Sequence, residues 1–401
     1  MKLRTLGSVD VHGKTVLYRA PYDIEVKITK RSAELVDDMR IRATLPTLQH
    51  LLKENCKIVI LTYVGRPDGN VVEELRTTPH AKKLAELLGH TVTKADDCIG
   101  ETVGEQISRM KPGDILMLEN VRFYKEEMID DDEFAKKLCA GKDLIVFDGF
   151  PQAHRIHAST TGIERHLPVV AGLYLAQEVE TLSGLLKNPA HPFTVIIGGK
   201  KISDKVDAVK NLLKIADTFL VGGAVANVFL KSEGRAMGSS FLEDVFVDKV
   251  KREKRDWVKE ASKILIEAET LEKKIILPSD LIISDGNGIK TTTAEIPSGW
   301  MALDIGPQTE QSFSQVIRDS KTVFINGPMG KFEDEKFAKG SVAILEAMKN
   351  SGDTTIAGGD TIELVRNYGK LENYTHISLA GGATLEFLAG KELPALKPLL
   401  A

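Results

Sequence analysis

Three observations predict a two-domain α/β fold for this chain. Short apolar runs end in glycine-rich or polar turns and lead into stretches of helical spacing. That grammar pauses near residue 168 and restarts near residue 193. The length, 401 residues, also exceeds what one hydrophobic core ordinarily organises. Continuous apolar strands alternating with helices imply parallel sheets covered on both faces by helices.

In the first half the strand runs are KTVLYRAP (14–21), KIVILTYVGRPDG (57–69), DILMLENVRF (114–123) and DLIVFDGFPQAHR (143–155). The first must stop at Pro21, which cannot donate a ladder hydrogen bond. Between the first two runs, Ile41, Leu45, Leu48, Leu51 and Leu52 fall on one helical face. Apolar positions then recur at helical spacing over 169–187, and Asn188, Pro189 and Pro192 end them. This is read as the helix connecting two domains. The second half repeats the style at FTVIIGGKKISDK (193–205), DTFLVGGAVANVFL (217–230), KTVFINGPMGKFE (321–333), TTIAGGDTIELV (354–365) and HISLAGGATLEFLAG (376–390), without repeating sequence.

Composition is that of an ordinary globular protein, 42% hydrophobic and 27% charged. A net charge of −4, from 53 basic and 57 acidic residues, argues against bulk nucleic-acid binding. Cys56, Cys98 and Cys139 lack metal-ligand spacing and read as reduced, buried thiols. The start, MKLRTLGSVD, lacks a signal-peptide core, and no apolar run nears the roughly 18 residues of a membrane span. A cytoplasmic, soluble protein is expected.

Ligands of open parallel sheets bind beyond the carboxyl ends of the strands. In the first half those ends carry Arg19, Arg66, Arg122, His154 and Arg155, with Arg40 at the start of the first helix. One such arginine is usually a solvated loop charge. Five together suit a small ligand bearing carboxylate and phosphate groups, because guanidinium forks bind both bidentately. The second half offers glycines with Lys201, Lys205 and Asp360. Lys201 and Lys205, four apart, would share one face of a helix whose N-terminus attracts anions; a tight turn with two surface lysines fits as well. Asp360 in GGDT is either a plain N-cap or a Mg²⁺ contact beside phosphate-binding glycines. Glu333, after the turn NGPMGKFE, could accept ribose hydroxyls. No GxxxxGK[ST], GxGxxG after a strand, HExxH or Ser-His-Asp pattern occurs. These residues together describe a two-lobed transferase joining an anionic small substrate to a nucleotide.

The stretches DDMRIRATLPTL, GRPDG, LENVRFYKEE, AHRIHAST, GGKKISDK, LDIGP, NGPMGKFE, FAKG, GGDT and SLAGGATLEFL, in this order over the whole chain, resemble the phosphoglycerate kinase family. The resemblance implies two Rossmann-like lobes. Residues 1–168 would bind 3-phosphoglycerate, 169–187 would be the interdomain helix, 188–384 would bind Mg-nucleotide, and 385–401 would return to the first lobe. It implies phosphoryl transfer between ATP/ADP and the 3-phosphoglycerate carboxylate, as in glycolysis, by a monomer without nucleic-acid or membrane partners. Arg19, Pro21, Tyr22, Asp23, Arg40, Tyr63, Val64, Gly65, Arg66, Arg122, His154 and Arg155 match the acid-binding positions. Lys201, Lys205, Gly222, Gly223, Ala302, Asn326, Pro328, Glu333, Gly358, Gly359, Asp360 and Thr361 match the nucleotide positions, with Asp360 the Mg²⁺ contact. Ala380, Gly381 and Gly382 match the loop near the transferred phosphate. A carboxylate nucleophile is already ionised at neutral pH, so no general base is required. Arg40 and Lys201 are the candidates for neutralising charge on the migrating group.

Several matched positions depart from the family pattern. Arg-x-Asp-Phe-Asn becomes Arg19-Ala20-Pro21-Tyr22-Asp23, and a substrate-contacting histidine becomes Tyr63. A glycine near the adenine pocket becomes Ala302, and Ser-Thr-Gly-Gly-Gly becomes Ser378-Leu379-Ala380-Gly381-Gly382. Lacking the freedom of glycine, Ala380 could crowd the phosphates. The charged phosphate-handling residues are all kept, which favours a phosphoglycerate kinase. The alternatives are a kinase for a different small acid and a non-catalytic nucleotide-binding paralogue.

Overall fold

In this computed structural model, which describes residues 2–28, 33–248, 253–293 and 295–401, Arg19 ends a strand at the centre of a parallel sheet. The six strands lie in the order Val92–Lys94, Ile115–Met117, Lys57–Leu61, Thr15–Arg19, Leu144–Phe147 and Val169–Ala171. Every neighbouring pair is parallel, and Arg19 is in register with Leu61 on one side and Phe147 on the other. Both faces are apolar because helices cover them. Val16, Tyr18, Ile58, Ile60, Met117 and Val146 form a core with Ile41, Leu48 and Leu51 of the helix Met39–Lys53. Its tyrosine hydroxyl is satisfied: Tyr18 donates to Asp148 Oδ2 at 2.8 Å.

The chain divides into Met1–Thr181 with Glu392–Ala401, and Leu182–Lys391. Against the expected connecting helix over 169–187, the helix runs Leu173–Lys187, and the division falls inside it. Val169, Val170 and Ala171 are instead the edge strand, in register with Ile145, Val146 and Phe147. A β-branched pair beside an apolar strand gains more from that ladder than from another helical turn. The second division differs from the expected boundary at 385: residues 385–388 end the helix Gly381–Leu388, and only Glu392–Ala401 belongs with the first unit.

The second unit has its own six-stranded parallel sheet. Its order is Lys274–Ile276, Thr218–Val221, Phe193–Ile197, Thr322–Asn326, Asp353–Ala357 and His376–Ser378. Helices Gly223–Ser232, Gly359–Tyr368 and Gly381–Leu388 each begin on a glycine two or three residues beyond the end of a strand. A three-stranded antiparallel sheet, Ile289–Thr292, Leu281–Ser284 and Met301–Ile305, is added and packs Leu281 and Ile283 against Leu230, Met237 and Ile296. Cys56, Cys98 and Cys139 are free and buried. Among the described residues no helix is long and apolar enough to cross a membrane.

Candidate functional site

In the first unit the site grows from the carboxyl end of Thr15–Arg19. Arg19 is fully buried, and two of its three nitrogens are engaged. Nε donates to the Ser159 carbonyl at 2.8 Å and to Ser159 Oγ at 3.2 Å, and Nη1 donates to the Ala20 carbonyl. Ser159 is itself held by Glu127, which accepts from its amide at 2.8 Å and its hydroxyl at 2.7 Å. Burial pushes the Glu127 carboxyl up, while Arg19 and Arg122 pull it down. His157, between the same arginines, is pushed down to about 4 by burial and by Arg122, Arg155 and Arg19, so it stays neutral.

Asn120 arranges the neighbouring loop. Its Oδ1 accepts from the amides of Val64 at 3.2 Å and Arg122 at 3.1 Å, and its Nδ2 donates to the Val64 carbonyl at 2.8 Å. Gly65, at φ +65, then joins two functional side chains through its backbone. Its amide donates to Asp23 Oδ1 at 2.9 Å, and its carbonyl accepts from Arg122 Nη1 at 2.7 Å. Arg40, half-buried at the start of its helix, donates to the Asp23 carbonyl. Arg19 Nη2 and Arg122 Nε and Nη2 are buried, with no hydrogen-bond acceptor among the described residues. Such uncommitted guanidinium donors are what an anion requires.

In the second unit two cavities share Gly199 and Asp360. One, of about 440 Å³, is lined by Lys205, Asn326, Gly358, Gly359, Thr361, Gly381 and Gly382, among others. The other, of about 350 Å³, is lined by Gly223, Phe241, Ala302, Asp304, Pro328 and Glu333, among others. Close backbone approach shapes both. A Cβ on Gly223, at φ +58, would sit 2.6 Å from the Gly199 nitrogen, and one on Gly358, at φ +96, 2.8 Å from Asn326 Nδ2. Thr361, fully buried, donates to the Ala357 carbonyl and accepts from the Gly327 amide, both at 2.8 Å. It thereby fixes the glycine turn after Asn326. Asp360 is exposed in the first turn of a helix whose N-cap is Gly358, so it is not a capping residue. Burial pushes the Lys205 ammonium down and the Asp304 carboxyl up to about 7.

A buried arginine cluster and a glycine-lined pair of cavities, on separate parallel sheets, can hold an anionic acid and a nucleotide. The family model for phosphoglycerate kinase matches residues 6–391. The chain belongs to the phosphoglycerate kinase family. Phosphoglycerate kinase of Pelotomaculum thermopropionicum is 40% identical over 406 residues, covering 100% of both chains. That of Moorella thermoacetica is 40% identical over 398 residues, 98% of each. The chloroplastic phosphoglycerate kinase of Volvox carteri is 41% identical, covering 98% of this chain and 85% of its own. Solved phosphoglycerate kinases of Coxiella burnetii and Pyrococcus horikoshii are 31% identical with a TM-score of 0.83, covering 99% of this chain and 98% of theirs. With membership of the phosphoglycerate kinase family goes ATP-dependent phosphorylation of 3-phosphoglycerate, a glycolytic kinase reaction with a carboxyl acceptor.

Within this phosphoglycerate kinase fold, Arg19, Arg40, Arg122, Asp23, Val64 and Gly65 are brought together as just described, and Tyr63 lies under the Arg122 guanidinium. Pro21 and Tyr22 are buried, with the Tyr22 hydroxyl 2.7 Å from Thr44 Oγ1. Arg66 is exposed, and His154 and Arg155 are half-buried after the Phe150–Gln152 turn. The expected shared helix face of Lys201 and Lys205 is not formed. That helix starts at Val206, and 201–205 is a turn in which Lys205 Nζ donates to the Lys201 carbonyl at 3.2 Å. Glu243 holds the turn, accepting from the Ser203 amide at 3.0 Å and hydroxyl at 2.7 Å, so Lys201 is exposed and Lys205 buried. Gly222 lines neither cavity; a Cβ there would meet Met329 Sδ at 2.3 Å. Ala380 is buried at the N-cap of its helix and does not line the 440 Å³ cavity, whereas Gly381 and Gly382 do. Glu127, Ser159, Asn120 and Gln152 escaped the sequence reading. Only the polar tail of each strand-end turn signalled them.

Proposed function

We propose that the first unit binds 3-phosphoglycerate through its arginines and the second binds Mg-ATP or Mg-ADP along its glycine turns, for direct in-line transfer. The observation that carries this reading is the set of buried guanidinium N–H groups on Arg19 and Arg122 that meet no acceptor among the described residues. Arg40 and Lys201 neutralise the migrating group in this reading, and Lys205 and the helix starts at Gly359 and Gly381 attract the nucleotide phosphates. Asp23 does not oppose the anion, because its carboxylate is turned onto the Gly65 amide.

Asp360 fits a Mg²⁺ that arrives with its nucleotide. It is exposed and lines both cavities, while no cluster of three metal-binding side chains occurs among the described residues. A Mg²⁺ held there takes most of its ligands from phosphates and water, and supplies charge neutralisation. Transfer also requires exclusion of water, so the reading includes closure of the lobes around their substrates. A cytoplasmic monomer is part of the same proposal.

The test is ATP-dependent acyl-phosphate formation from 3-phosphoglycerate, coupled to a reductive trap, with calorimetric titration of each substrate. Turnover and binding of both substrates are expected. A second reading, a kinase for another small acid, draws on the buried Pro21 where the family pattern carries Asp. Nucleotide binding without 3-phosphoglycerate binding would favour it. Folded protein silent to both ligands would leave a non-catalytic paralogue.

A further inference from the structure

Tyr63 follows the strand Lys57–Leu61, and only 3% of its surface is exposed. The guanidinium carbon of Arg122 lies 3.5 Å from the centroid of its ring, and that of Arg19 lies 5.5 Å from it. At the shorter distance the guanidinium stacks on the ring face, where the aromatic quadrupole attracts a cation. The Tyr63 hydroxyl accepts from Gln152 Nε2 at 3.3 Å, which limits the tilt of the ring.

The consequence is electrostatic. Arg122 makes no ion pair with a described carboxylate, and one of its nitrogens, Nη1, is fixed by the Gly65 carbonyl at 2.7 Å. Its Nε and Nη2 stay uncommitted although buried. A carboxylate in place of Tyr63 would occupy those donors and cancel the charge. A ring face holds the cation without using a single N–H and leaves the positive potential in place.

We propose that Tyr63 is a positioning residue for acid binding: its ring orients Arg122 so that the fork stays charged and available to the anionic substrate. This rests on the assignment of the acid to the arginine patch. Tyr63 touches no reacting atom in this role, so its removal weakens acid binding and leaves the chemical step alone.

The experiment compares Tyr63→Phe, Tyr63→Leu and Tyr63→Ala by steady-state kinetics and by calorimetric titration with 3-phosphoglycerate and with inorganic phosphate. Tyr63→Phe keeps the ring and loses only the Gln152 hydrogen bond, so its acid KM should rise less than that of the leucine variant. Tyr63→Leu keeps most of the volume without the ring. It should raise the acid KM and the phosphate Kd about thirtyfold, the size of a desolvated cation–π contact, with kcat and ATP KM nearly unchanged. Tyr63→Ala should lose at least as much. Leucine matching the parent would reduce the role to packing and overturn the proposal. A parallel loss of kcat and ATP affinity would do the same. If the leucine variant does not fold, the parent protein decides by NMR. The Arg122 Nε–H proton should be moved upfield by the ring current and should shift on adding phosphate; a proton at the ordinary position refutes the stack. A parent that turns over no 3-phosphoglycerate defeats the substrate assignment, while phosphate titration and the Nε–H signal still judge Tyr63.

Discussion

At the scale of single residues, charge placement separates the groups that act from the groups that hold. Lys201 is exposed and Arg40 half-buried, so neither is needed for packing. Arg40→Ala and Lys201→Ala are each expected to lower kcat by at least about a hundredfold, as loss of one charge-stabilising donor does, with melting temperature unchanged. Activity within about threefold of the parent would remove them from the transfer step. Glu164 poses the opposite case. Both its oxygens are buried with no hydrogen-bond partner among the described residues, and burial, with Asp130 adding, pushes its carboxyl up to about 9. The folded chain therefore holds a proton that the unfolded chain releases near pH 4.5. Stability contributed by that proton is present below this value and is lost as pH rises towards about 9. Glu164→Gln should lie close to the parent near pH 5 and exceed it by on the order of 5 kcal/mol near pH 8.5 in urea unfolding. Parallel pH curves for the two proteins would show that Glu164 does not titrate in that window. The strand-end arginines could be read from sequence because each lies at the end of an apolar run or in the turn that follows it. Their partners could not: Arg19 reaches Ser159 across 140 residues, and no local pattern encodes such a meeting.

At the scale of elements, periodicity carried most of the fold and failed where an element was short. The central strands carry three or four consecutive apolar residues, and the helix Met39–Lys53 shows its face plainly. Val169–Ala171 has only three residues, too few to distinguish a strand from the first turn of the helix that follows. The antiparallel sheet escaped for a different reason. Its hairpin carries the turn signals Asp285-Gly286-Asn287-Gly288, but Ile289–Thr292 is largely exposed and lacks an apolar alternation. Helix caps made by distant residues are equally hidden. Asp280, 2% exposed, accepts from Gln308 N at 3.0 Å, Thr309 N at 2.8 Å and Thr309 Oγ1 at 2.7 Å, closing the start of the helix Pro307–Arg318. Asp280→Ala leaves the buried Thr309 amide unpaired and opens the cap, so it should cost about 2 kcal/mol in denaturant unfolding of this unit. Asp280→Asn should recover part of that. An alanine variant as stable as the parent would mean that water replaces the cap at no cost.

At the scale of the whole molecule, the chain ends in a different unit from the one it has just built. Leu393, Ala395, Leu396 and Leu399 are buried within the first unit. The Leu399 carbonyl accepts from the Arg4 amide at 2.8 Å, and the Arg4 carbonyl accepts from the Ala171 amide at 2.8 Å. The last residues are thus linked through the first ones to the edge strand Val169–Ala171. A second tie, Ala395 N to the Ala153 carbonyl at 3.1 Å, reaches the segment that carries Gln152, His154 and Arg155. Termini held this way are part of the core and cannot be trimmed freely. Deleting 392–401 removes three buried leucines, worth about 1.5–3 kcal/mol each before the entropy of ordering the segment is subtracted. A net loss on the order of 3 kcal/mol should lower the first unit's melting transition by about 10 °C in calorimetry. Because Ala153 loses its partner, the acid KM should rise as well, whereas nucleotide affinity of Leu182–Lys391 should stay within about twofold. The two readouts discriminate. Equal losses of acid and nucleotide binding would mean that the deletion unfolds the protein generally, and an unchanged melting profile would mean that the tail is a passive attachment.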